Sequence, residues 1–121
     1  MSLQCIDPKP FPIAGLSAAA AAAALGVPAA ALAARSRCRA PVARARQLAV
    51  YLHHVALGAS LSACARAFGR DRATVRHACA VIEDMRDDPR IDCWAARLEQ
   101  ALAAQCDMIF RLIRTLEGAA R

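Results

Sequence analysis

The chain has 121 residues and a net charge of +6, with 58% apolar and only 4% aromatic residues, which bounds it to one domain with a modest core. Alanine and arginine dominate and β-branched residues are few, a balance that favours an all-α fold. No G-x-x-x-x-G-K-[ST] phosphate loop occurs and the length leaves no room for an ATPase domain, so nucleotide-driven work is excluded.

Residues 1–15 hold Pro8, Pro10 and Pro12 around Phe11 and are expected to form an extended or disordered tail. Ser17 is placed to cap an alanine helix that stops at Gly26, and Pro28 can open a short second helix ending near Ala34. Polyalanine has high helix propensity but little packing specificity, so this arm is expected to dock loosely. Gly15, Ser17, Gly26 and Pro28 interrupt the apolar run, which argues against a membrane span or an export signal. The segment RSRCRAP, Arg35 to Pro41, is a basic loop. Its alternating arginines suit phosphates or a narrow minor groove, and on its own it would read as a solvated turn.

Val42 to Leu57 has the period of a long helix, with Ala45, Leu48, Ala49, Leu52 and Val55 toward the core. His53 and His54 are adjacent, project about 100° apart and cannot share a metal as an i, i+4 pair can; both are expected to face solvent. Two amphipathic helices then follow in close succession. Leu61, Cys64, Ala65 and Phe68 line one, with Ser60 as N-cap and Gly69 as its stop; Val75, Ala78, Cys79 and Ile82 line the next, capped by Asp71. Stripes this close must pack at an angle, as in a helix-turn-helix; the plain alternative is a helical hairpin with a solvated arginine face. Arg72, Thr74 and Arg76 lie off the second stripe, where a recognition helix presents side chains to the major groove. After a break at Arg86–Pro89, Ile91, Trp94, Ala95, Leu98, Leu102, Gln105, Ile109, Leu112, Ile113 and Leu116 hold a helical period to Gly118, with Trp94 and Leu98 expected to close the core.

Charge is unevenly placed. Arg35 to Arg76 contains nine arginines and a single acid, Asp71, while the remainder is slightly acidic. Such a segment is the electrostatic footprint of a polyanion-binding face. The six cysteines show no C-x-x-C pair and no histidine at ligand spacing, so no metal and no other cofactor is expected.

The stretch FGRDRATVRHA, with VARARQLAVYL upstream, resembles the C-terminal DNA-binding domain (domain IV) of the bacterial replication initiator DnaA. Phe68, Gly69, Arg70, Asp71, Thr74, Val75, His77 and Ala78 match its signature, and Arg44, Arg46, Gln47, Ala49 and Leu52 match the helix before it. The chain departs from the pattern at three places. One turn glycine is missing between Gly69 and Arg70, Arg72 replaces a base-contacting histidine, and Ala73 replaces a base-contacting serine or threonine.

The resemblance covers residues 16–102 and implies a stand-alone helix-turn-helix domain without the initiator's ATPase. Residues 103–121 then form a C-terminal helical extension, apolar on a face with no partner in the family fold. The resemblance implies a non-enzymatic cytoplasmic, nucleoid-associated regulator of replication or transcription that binds double-stranded DNA at sites like the initiator's box. Arg70, Asp71, Arg72, Thr74 and Arg76 would address bases or nearby phosphates. Arg37, Arg39, Arg44, Arg46 and Gln47 would hold the backbone, and His54 and His77 fall where the family carries a basic residue and a histidine. The alternative is an interaction module for the initiator or its regulators, with self-association through the C-terminal helix a further expectation.

Overall fold

The computed structural model describes residues 11–33 and 40–119, which form five α-helices, one short 3₁₀ segment and no strand. Helix α1 (Phe11–Leu25) ends where Gly26 turns at φ 66°. Pro28 then opens the 3₁₀ segment (Ala29–Ala33), its carbonyl accepting from the Ala31 N–H at 3.0 Å. The helix begins six residues before Ser17, so Ser17 is not a cap. It sits fully buried within α1 and shares a 3.3 Å hydrogen bond with His53 Nδ1.

The alanine arm is also not loosely docked. Ala21 and Ala22 are buried, and α1 packs on α2 (Ala40–Val55) more extensively than any other pair of described elements. Alanines leave no bulk between two helix backbones, so the axes can close to the short end of the usual 8–10 Å range. Helix α2 is the centre of the domain: every residue from Leu48 to His53 is buried, as expected of a helix covered on all sides. His53 therefore does not face solvent. Its ring meets Phe68 edge-on, centroids 5.4 Å apart. Val55, expected inward, lies beyond the covered part and is 43% exposed.

Local signals set the next two helices. In α3 (Leu61–Phe68), Ser60 Oγ accepts from the Ala63 N–H at 3.0 Å. Gly69 ends the helix at φ 63°, and the Arg70 N–H bonds back to the Ala65 carbonyl at 3.0 Å. Only a residue tolerant of positive φ closes a helix this way cheaply. Helix α4 (Arg72–Met85) starts on its Asp71 cap and buries Val75, Ala78, Cys79 and Ile82. Together with fully buried Cys64 of α3, these join Leu48 and Leu52 in one core.

Helix α5 (Pro89–Ala119) runs unbroken for 31 residues, about 46 Å at 1.5 Å per residue. Ala95, Leu102 and Cys106 are its buried residues, and Leu98 packs beside them. Trp94 does not close the core; it is 40% exposed at the rim. The clasp is Arg86, which caps α4. It donates to Asp92 Oδ1 at 2.7 Å, to the Tyr51 hydroxyl at 2.9 Å and to Glu99, and lies over the Tyr51 ring. One guanidinium thus ties α2, α4 and α5. No described helix is long and apolar enough to cross a membrane.

Candidate nucleic-acid interface

The start of α4 is built on its cap. Asp71 Oδ1 accepts from the Thr74 N–H at 2.7 Å, and the Thr74 hydroxyl also bonds the carboxylate; both hold the carboxyl below its usual range. With Val75, Ala78, Cys79 and Ile82 turned into the core, Arg72, Ala73, Thr74, Arg76 and His77 are all exposed. Arg72, Arg76 and His77 make no hydrogen bond or ion pair to the described residues. Arg70, in the turn, is half-buried, its guanidinium likewise uncommitted.

Arg66 in the last turn of α3 is exposed and unpaired among the described residues, and it extends the basic stretch. Motif matching alone leaves it out of the site. The signal that finds it is its place in the last turn of α3, just before the turn that carries Arg70.

Three of the residues expected at the interface also make bonds within the fold. Arg44 donates to Met85 Sδ at 3.1 Å and lines a small apolar recess of about 30 Å³ with Leu48, Ile82 and Trp94. Arg46 donates to the Leu32 carbonyl at 2.9 Å and the Ala31 carbonyl at 3.5 Å, satisfying the end of the 3₁₀ segment. His54 Nδ1–H donates to the Ala59 carbonyl at 2.6 Å, which fixes its tautomer and steadies the loop before α3. Gln47 is half-buried, with no hydrogen bond to the described residues. Arg37 and Arg39 lie outside the described residues.

A tight turn between two capped helices, the second presenting an arginine-rich first turn, can seat that helix in a DNA groove. The family model for the bacterial dnaA protein helix-turn-helix matches residues 18–82, more than half of the chain. The chain belongs to the DnaA helix-turn-helix family. No curated protein and no solved structure matches it significantly. Membership makes it a double-stranded-DNA-binding domain, with α3 and α4 as the two helices of the motif. The DnaA-type match ends at Ile82, within α4, and takes in the whole exposed surface of that helix's first two turns.

Of the four described cysteines, Cys64, Cys79 and Cys106 are buried and Cys93 is exposed. Burial pushes the Cys64 thiol up to about 11, so at neutral pH it is a packed apolar group rather than a nucleophile or ligand. No cluster of metal-ligating side chains occurs among the described residues.

Proposed function

We propose that this chain is a non-enzymatic regulator that binds double-stranded DNA at sites like the initiator's box and thereby modulates replication initiation or transcription. One observation carries the reading. The outer face of α4 keeps Arg72, Arg76 and His77 without a partner among the described residues, while Arg44, Arg46 and His54 make bonds within the fold. Arg72, Arg76 and His77 would meet the major groove, and Arg66 and Arg70 would meet the flanking phosphates. Asp71 acts chiefly as a cap. Such a protein works on the chromosome, which places it in the cytoplasm with the nucleoid.

Titration of the box duplex and a scrambled duplex across a salt series tests this. Binding should fall steeply with salt, because each neutralised phosphate releases counterions. Changing Arg66 and Arg70 to Ala should weaken both duplexes alike and flatten the slope, by about 0.9 for each phosphate no longer neutralised. An unchanged slope would remove these arginines from the interface.

A second reading, a module that binds the initiator, its regulators or another copy of itself, is favoured by one feature of α5. Past Cys106 no described residue is buried, and Met108, Leu112 and Leu116 are each about 60% exposed. Deleting residues 107–121 should leave the melting transition intact. If that deletion abolishes duplex binding while the α4 arginine variants do not, the second reading replaces the first.

A further inference from the structure

Helix α5 carries a second apolar line besides the one it buries. Trp94, Leu98, Ala101, Met108 and Leu112, with Gln105 among them, follow in alternating steps of four and three residues, and Leu116 lies four further on. At 100° per residue they fall within about 80° of one another, and about 100° around the helix from buried Ala95, Leu102 and Cys106. The steps are those of a coiled-coil seam, sustained for about 33 Å. Leu98 is part-buried; the other residues of the seam are exposed. The charges of α5 are sorted about this seam. Arg90, Arg97 and Arg111 are exposed along one flank, separated by seven and fourteen residues. Arg97 has no partner among the described residues. Arg90 stands 3.7 Å from Asp88 and Arg111 2.9 Å from Asp107, exposed pairs that hold little energy. The acids of the helix, Asp92, Glu99, Asp107 and Glu117, fall about 140–160° around from the middle of the seam, as does Arg114. Asp92 and Glu99 are engaged there by Arg86.

We propose that this seam docks an acidic amphipathic helix of a partner protein, which lays its apolar stripe along Trp94 to Leu112 and its carboxylates against Arg90, Arg97 and Arg111. The inference stands apart from the duplex-binding reading, which uses α3 and α4, and it gives the α5 surface of the second reading its occupant. Charge selects that occupant over a second copy of this chain. Two copies meeting antiparallel about a two-fold axis set the arginine flank of one against the arginine flank of the other. A parallel pair brings each arginine flank to the opposite flank, where Ala95 and Leu102 are packed into the core and no carboxylate stands. A helix with glutamate or aspartate beside its apolar stripe meets neither obstacle and offers the complementary charge. Gln105, exposed at a seam position, calls for a polar side chain opposite, and that pairing would fix the register.

The probe is a synthetic three-heptad peptide with leucine at the seam positions and glutamate on both flanks, kept monomeric by its own like charges. A control peptide carries lysine in place of glutamate. Titrated with the full chain, the glutamate peptide should bind one to one, gain helical circular dichroism and bind about tenfold or more tightly than the lysine peptide at low salt. Leu112→Glu changes an exposed residue, so it should leave the melting temperature in place and cost about tenfold in peptide affinity. Arg97→Glu should erase the preference for glutamate over lysine. The inference is overturned if neither peptide binds, if the two bind alike, or if binding survives both substitutions, which would put the acidic peptide on the α4 arginines instead. A dimer of the full chain alone that Leu112→Glu dissociates, seen by sedimentation, would assign the seam to a second copy. Flotation with phosphatidylglycerol vesicles that needs Leu112, without peptide binding, would assign it to a lipid surface. Either result overturns the inference. A chain that binds the duplex but not the glutamate peptide loses this inference alone, and one that binds the peptide but no duplex loses only the DNA-binding reading.

Discussion

His53 is a titratable group sealed between two helices and an aromatic ring. Burial among Ser17 of α1, its own helix and Phe68 of α3 holds its imidazole below the ordinary value of 6.5. The unfolded chain therefore takes up a proton at that site before the folded one does. The stability tied to a neutral His53 is present in full above pH 6.5 and is lost as pH falls below it toward the lower folded value. Thermal melts between pH 8 and pH 5 should show a decline in wild type that is shallower in His53→Gln, which keeps a hydrogen-bonding group without the titration. Arg86 acts in the other sense, as a charge held by its neighbours: the Asp92 carboxylate, then the Tyr51 hydroxyl and Glu99, hold its guanidinium charged. Arg86→Leu leaves the Tyr51 hydroxyl and Glu99 without their shared donor. With the cluster partly open to water, the expected loss is about 1–2 kcal/mol, read from denaturant midpoints at an unchanged m-value.

At the scale of the helices, the most extensive packing among the described residues involves the least distinctive sequence. The described buried residues of α1 are all small (Ser17, Ala21 and Ala22), so Ala21→Leu should cost about 1–3 kcal/mol through overpacking, whereas the same change at exposed Ala24 should cost almost nothing. Paired thermal melts of the two variants separate packing from helix propensity. The contrast also explains what could be read in the sequence. The helix-turn-helix was legible because its signals are local: Ser60, Gly69 and Asp71 each act within three or four residues, and the apolar stripes of α3 and α4 repeat within one helix. The partners of Arg44, Arg46 and His53 were not, since each lies fourteen or more residues away along the chain. Ser17 shows the same limit. A serine before an alanine run suits an N-cap, and only the placement of α2 turns it into a buried partner for His53. Size and period point Trp94 to the core, yet its place in the first turns of α5 puts it at the rim.

For the molecule as a whole, the interface and the support for it are in different parts of the chain. Arg46 is expected to serve the support. Arg46→Ala should lower stability by about 1–2 kcal/mol through loss of its bonds to the Leu32 and Ala31 carbonyls, and its duplex binding, measured well below the melting temperature, should keep the wild-type salt slope. Arg76→Ala should do the reverse, melting like wild type and binding less tightly. The largest consequence follows from Leu102, 1% exposed and lodged in the same core as Leu48, Leu52 and Val75 although it lies twenty residues beyond the end of the family match. The segment that kinship marks out, residues 18–82, is not a unit that can stand by itself. Cut at those borders it loses Ser17, the Arg86 clasp and the whole of α5, and the pocket that Leu102 fills opens to water. Removing that one leucine side chain alone should cost about 2–5 kcal/mol, much of what a domain this small possesses. A fragment of residues 18–82 should therefore show helical circular dichroism without a cooperative melt, while residues 11–106 should melt in a single transition. Heredity and autonomy have different borders here: the stretch that records ancestry is shorter than the stretch able to hold its own shape.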